Sequence, residues 1–132
     1  MVGRGAMAHY RRVLAAPATR NPDVAPRDYA KVNIVEVSDR YVMSDGARQV
    51  SAHLTENPHV DGMLIGYVAD ARLGFVTDIW SPGAAPLPNQ ISSPLAAVVN
   101  AARRAGIQPL RFAGGHGSTG DYAPLAGLAG QK

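Results

Sequence analysis

The sequence predicts an α/β (α+β) domain built on a mainly antiparallel sheet with at least one helix packed against it. Three observations carry that expectation. Short β-branched or alternating runs recur between residues 32 and 77, separated by turn residues. The stretch from Ser93 to Ala105 instead repeats its apolar residues at helical spacing. The composition, 46% hydrophobic and 17% charged over 132 residues, is that of a chain able to close a core. A domain of that size buries roughly two-thirds of the surface its unfolded chain exposes.

Taken in order, residues Met1 to Leu14 read as a short amphipathic helix, and Pro17, Pro22 and Pro26 make the next stretch an extended connection. Residues 1–31 are therefore expected to be loosely held, and residues 32–132 to form the folded body. Val32 to Val37 is β-branched and reads as a strand, followed by a Ser38-Asp39 turn and a strand over Tyr41 to Met43. Ser44-Asp45-Gly46 marks another turn, and Arg48 to Leu54 alternates polar and apolar residues as a half-buried strand does. These three runs suggest an antiparallel meander. Met63 to Val68 and Leu73 to Thr77 make a second hairpin, apolar enough to lie deeper. Ser81 to Ser93 is proline-rich and reads as a structured loop. The helix that follows has Ser93 as a plausible N-cap, Pro94 in its first turn, an apolar face of Leu95, Val98, Val99 and Ala102, and Gly106 to end it. Leu110 to Ala113 is a last short strand, and a short helix from about Asp121 to Leu128 closes the chain.

Several function classes lose support at once. The net charge is +3, with the basic residues scattered rather than striped, so nucleic-acid binding is not expected. No cysteine is present, which excludes thiolate nucleophiles and cysteine-rich zinc sites and leaves the compartment open. The first residues lack an apolar run of signal-peptide length, and no segment nears the roughly 20 apolar residues of a membrane span. The expectation is a soluble chain, with the cytoplasm slightly favoured.

Three polar residues fall where strands should start or end: His59, Asp78 and His116. Imidazole and carboxylate are ligand types for zinc, iron or manganese, and a carboxylate can bridge two cations. Each residue also has a plainer reading: His59 as a solvated loop residue beside Pro58, Asp78 as a turn cap, His116 as a spacer between glycines. Gly115-His116-Gly117-Ser118-Thr119-Gly120 formally matches G-x-G-x-x-G, but too little chain follows for the βαβ unit and acidic residue of a dinucleotide site. A polar turn before the last helix is the preferred reading there.

Taken together, Asn57-Pro58-His59-Val60-Asp61-Gly62, Gly74-Phe75-Val76-Thr77-Asp78-Ile79-Trp80 and Arg111-Phe112-Ala113-Gly114-Gly115-His116-Gly117 resemble, in order and interval, the second half of a metallo-β-lactamase-fold hydrolase. The resemblance covers roughly Pro17 to Leu128. It implies a partial αββα sandwich, with His59 completing the first metal's histidine set, Asp78 bridging two metals and His116 binding the second. Zinc is the implied metal, with iron or manganese open. The family's main motif, His-x-His-x-Asp-His, does not occur here, and His9 and His53 stand alone. A catalytic zinc takes at least three protein ligands, so this chain by itself is expected to be inactive. The missing half would leave an apolar sheet face exposed, suited to a second copy or a complementary half-domain. The small-molecule substrate is unassigned, and a non-catalytic interaction module that kept the fold is the alternative reading.

Overall fold

A computed structural model describes residues 1–16 and 31–130 of the chain, and its elements follow the apolar pattern of the sequence closely after residue 40. In order they are β1 (Val2–Gly3), α1 (Met7–Ala15), β2 (Glu36–Val37), β3 (Arg40–Ser44), β4 (Gln49–Leu54), β5 (Leu64–Val68), β6 (Leu73–Val76), α2 (Ser93–Arg104), β7 (Arg111–Gly114), β8 (Thr119–Asp121) and α3 (Tyr122–Leu128). The class is mixed α and β. Among the described residues, six strands form one sheet in the order β3-β4-β5-β6-β7-β8, antiparallel except for the parallel pair β6 and β7. Helix α2 makes the crossover that a parallel pair requires.

Helix α2 ends as its sequence implies. Gly106 takes φ +63°, its N–H donates to the Arg103 carbonyl at 3.1 Å, and the Ile107 N–H donates to the Ala102 carbonyl at 3.1 Å. Those two bonds make a Schellman cap, which satisfies carbonyls the helix leaves open. Ser92 rather than Ser93 is the N-cap, with Pro94 in the first turn. The face of α2 carrying Val98, Val99 and Ala102 is buried, with Leu95 at its margin. It packs on the sheet face presenting Ile65, Val76 and Phe112, all 0% exposed. Phe112 lies between Trp80 and Tyr122, at ring-centroid distances of 5.4 and 5.5 Å.

The other sheet face is also rich in apolar residues. Strand register aligns Tyr41, Ala52, Gly66, Phe75 and Ala113 in one row, and Met43, Val50, Val68 and Leu73 in the next. Tyr41, Met43 and Phe75 remain exposed there.

Two early expectations are corrected. The strand foreseen over Val32 to Val37 is confined to Glu36 and Val37, and it pairs in parallel with β1 instead of joining the meander. The helix foreseen from Met1 begins only at Met7. The physical reason is the same for both. The Val2 N–H donates to Val35 O at 2.9 Å and the Arg4 N–H to Val37 O at 2.8 Å, while Gly3 lies so close to Gly62 that a Cβ would stand 2.1 Å from the Gly62 carbonyl oxygen. Only glycine allows that approach, and glycine is a weak helix former. The proline-rich connection expected after Leu14 begins at Pro17, outside the described residues. Among the described residues no helix is long and apolar enough to cross a membrane.

Candidate functional site

Because β6 and β7 are parallel neighbours, their carboxyl ends open at the same end of the sheet, the place where crossover folds gather ligand-binding loops. Asp78 follows β6 and His116 follows β7. His116 Nε2 and Asp78 Oδ1 meet at 2.9 Å, although the two residues are 38 apart in sequence. Both side chains reach solvent, His116 more than Asp78.

Each is held by an unusual piece of backbone. Asp78 has φ +61°, and the Ile79 N–H donates across it to the Thr77 carbonyl at 2.6 Å. That is a γ-turn of the positive-φ form, which is rare and strained. Strain of this kind costs about 1–3 kcal/mol and persists only where surrounding packing enforces it. The packing here is Ile79, Trp80 and Pro82, all buried. His116 sits in a loop tied by three main-chain bonds: Gly114 N–H to Ser118 O at 2.9 Å, Gly115 N–H to Val76 O at 2.8 Å, and Ser118 N–H to Pro82 O at 2.8 Å. A Cβ on Gly115 would stand 2.5 Å from Thr77 Oγ1, and one on Gly117, itself at φ +86°, 2.7 Å from Pro82 O. The glycines around His116 thus serve close approach. Thr119 and Gly120, the end of the G-x-G-x-x-G match, lie in strand β8, where a polar turn was expected. The motif is used for packing on Pro82.

His59 lies at the same end of the sheet, in the loop between β4 and β5. Asn57 Oδ1 accepts from the N–H groups of His59 and Val60 at 2.9 and 3.0 Å, and Asn57 Nδ2 donates to Thr55 O and Val60 O. Asn57 therefore shapes this loop, and the His59 side chain is exposed. Among the described residues no group of three or more His, Cys, Asp or Glu stands close enough to hold one metal ion. The pair formed by Asp78 and His116 still has a suitable donor set. Two ligand atoms each about 2.0–2.1 Å from a tetrahedral zinc stand roughly 3.3 Å apart, close to the separation seen between Oδ1 and Nε2.

The two histidines that seemed isolated differ. His9, on α1, lines a cleft of about 490 Å³ together with Tyr10, Asp61 and Asp78, so the N-terminal segment brings an imidazole to the same end of the sheet. His53 is 5% exposed in β4, with its Nε2 2.8 Å from Ser51 Oγ. Burial lowers its pKa below the usual 6.5, the Arg40 charge lowers it further, and Asp39 acts in the opposite sense. The sign of the pH effect follows directly. Below 6.5 the unfolded chain takes up a proton that folded His53 resists, so stability falls as pH drops from there toward the folded value. Urea unfolding at pH 7.5 and pH 5 should show that loss, and His53→Gln should reduce it; an equal loss in the variant would assign the pH dependence elsewhere.

No protein-family model matches the chain, and no characterised protein matches it significantly.

Proposed function

We propose that this chain is the C-terminal half of a metallo-β-lactamase-like domain, presenting part of a metal centre that serves hydrolysis when another chain supplies the remaining ligands. The observation that carries the reading is the 2.9 Å pair of Asp78 and His116 at the carboxyl ends of parallel strands. A strained γ-turn and a glycine-rich loop hold the two side chains there, and backbone strain of this kind clusters at functional sites. His59, on the neighbouring loop, is proposed as a ligand of the first metal and His116 of the second, with Asp78 shared between them, as the resemblance implies. A bound zinc, or two, would act as a Lewis acid that lowers the pKa of water toward about 7. Asp78 and His116 would position that ion. The αββα sandwich would be completed by a half-domain seated on the face that carries Tyr41, Met43 and Phe75.

Zinc content after dialysis is the test. Wild type should retain zinc weakly, with His116→Ala and Asp78→Asn each reducing affinity by more than the roughly tenfold that losing even an outer hydrogen-bond partner of a ligand costs. Asn tolerates positive φ, so Asp78→Asn should keep the turn. Absence of zinc from all three proteins would remove the metal reading. The second reading, a binding module without catalysis, is favoured by the lack of a three-donor group among the described residues. It gains if zinc binds and yet no complementary half-domain brings ester or thioester hydrolysis.

A further inference from the structure

The two edges of the main sheet are not equivalent, and the difference points to how two chains meet. Among the described residues, one edge is β8, only Thr119 to Asp121, which carries an ion pair from Asp121 to Arg111 and runs straight into α3. The other is β3, five residues long and exposed throughout. Natural edge strands are commonly protected by proline, lysine, a bulge or shortness. Strand β3 has none of these, and its only charge is Arg40 at one end.

The hydrogen-bond alternation of β3 shows which backbone groups are open. The Leu54 N–H donates to Asp39 O and the Asp45 N–H to Arg48 O, so in this antiparallel pair the odd-numbered residues exchange bonds with β4. The N–H and C=O groups of Arg40, Val42 and Ser44 therefore point away from the sheet.

We propose that a second copy of this chain pairs with β3 through its own β3, antiparallel and centred on Val42, joining two six-stranded sheets into one. This register sets Val42 against Val42, and Arg40 against Ser44 of the second copy. Each of the three facing pairs can exchange two main-chain bonds, about six in all. A shift in either direction leaves part of the strand facing a turn. Charge does not oppose this register, because the two Arg40 side chains fall at opposite ends, about 14 Å apart at strand rise, beyond the ~8–10 Å screening length. Tyr41 then lies across from Met43 of the second copy in a non-hydrogen-bonded pair, the closer kind, where thioether and ring make a favourable contact. Both belong to the apolar rows of the outer face, so those rows would run on from one copy to the next.

Sedimentation velocity from about 1 µM to 1 mM should show a monomer–dimer equilibrium. Val42→Pro removes an outward N–H without touching the β4 ladder, and should weaken association at least tenfold with the circular dichroism unchanged. Since the chain has no cysteine, Val42→Cys gives a second readout: facing Cα atoms about 5.5 Å apart lie within disulfide range. Oxidation should then link it into dimers far faster than Val60→Cys, which places the thiol on an exposed loop. A wild type that stays monomeric throughout overturns the proposal, as does a folded Val42→Pro protein that dimerises like wild type. Equal cross-linking of the two cysteine variants does so even if the proline variant fails to fold.

Discussion

Replacing Phe112 by alanine is expected to lower the unfolding free energy by about 3–5 kcal/mol, the range for truncating a buried aromatic side chain. Phe112 is fully buried and touches both Trp80 and Tyr122, so its removal opens a cavity between the sheet and the C-terminal helix. Its ring also lies over Gly74, its register partner in β6. A Cβ on Gly74 would be 2.3 Å from the nearest ring atom and 2.6 Å from the next two. Gly74→Ala should therefore cost about 1–3 kcal/mol by overpacking. In the Phe112→Ala background the added methyl enters empty space, and most of that cost should vanish. Urea unfolding of the two single variants and the double variant gives the coupling directly, expected at about 1–3 kcal/mol. Simple additivity would mean that the ring does not occupy the space above Gly74.

Gly114→Ala should have the second large effect, and it joins stability to the candidate site. The new methyl would stand 2.1 Å from the His116 carbonyl oxygen and 2.7 Å from Pro82 Cδ. Neither can swing aside, one being backbone and the other a buried proline ring. The loop must move as a whole, at a cost of about 2–3 kcal/mol, carrying the imidazole away from Asp78. Both results should appear together: a lower urea midpoint, and zinc retention reduced to that of His116→Ala. Gly127→Ala is the control. A Cβ there meets nothing within 4 Å, and inside α3 the change should stabilise by roughly 0.5–1 kcal/mol. A Gly114→Ala protein with unchanged stability would show that the loop is not tightly packed.

Much of the architecture is readable from the sequence because its signals are local. The 3.6-residue spacing of Leu95, Val98, Val99 and Ala102, followed by Gly106, defines α2 within a residue or two. The hairpin of β5 and β6 follows from two apolar runs around a polar turn. The site was legible only in part. Asp78 and His116 stood out as polar residues at strand ends, but the sequence has no signal for the support beneath them. Nothing local to Pro82 announces the glycines that pack on it, and nothing in Thr77-Asp78-Ile79 announces a positive φ. His9 seemed isolated because its place beside the cleft depends on β1 pairing with β2, a contact between segments more than thirty residues apart.

The sequence by itself determined the order of most strands and helices and the chemical types available at the site, since periodicity, turn residues and side-chain identity are properties of short stretches. Only the tertiary structure decided that β6 and β7 lie side by side in parallel. That adjacency depends on α2 burying Val98 and Val99 against Ile65 and Phe112, a gain in apolar burial shared among distant segments. From it comes the meeting of Asp78 with His116, which no local pattern specifies.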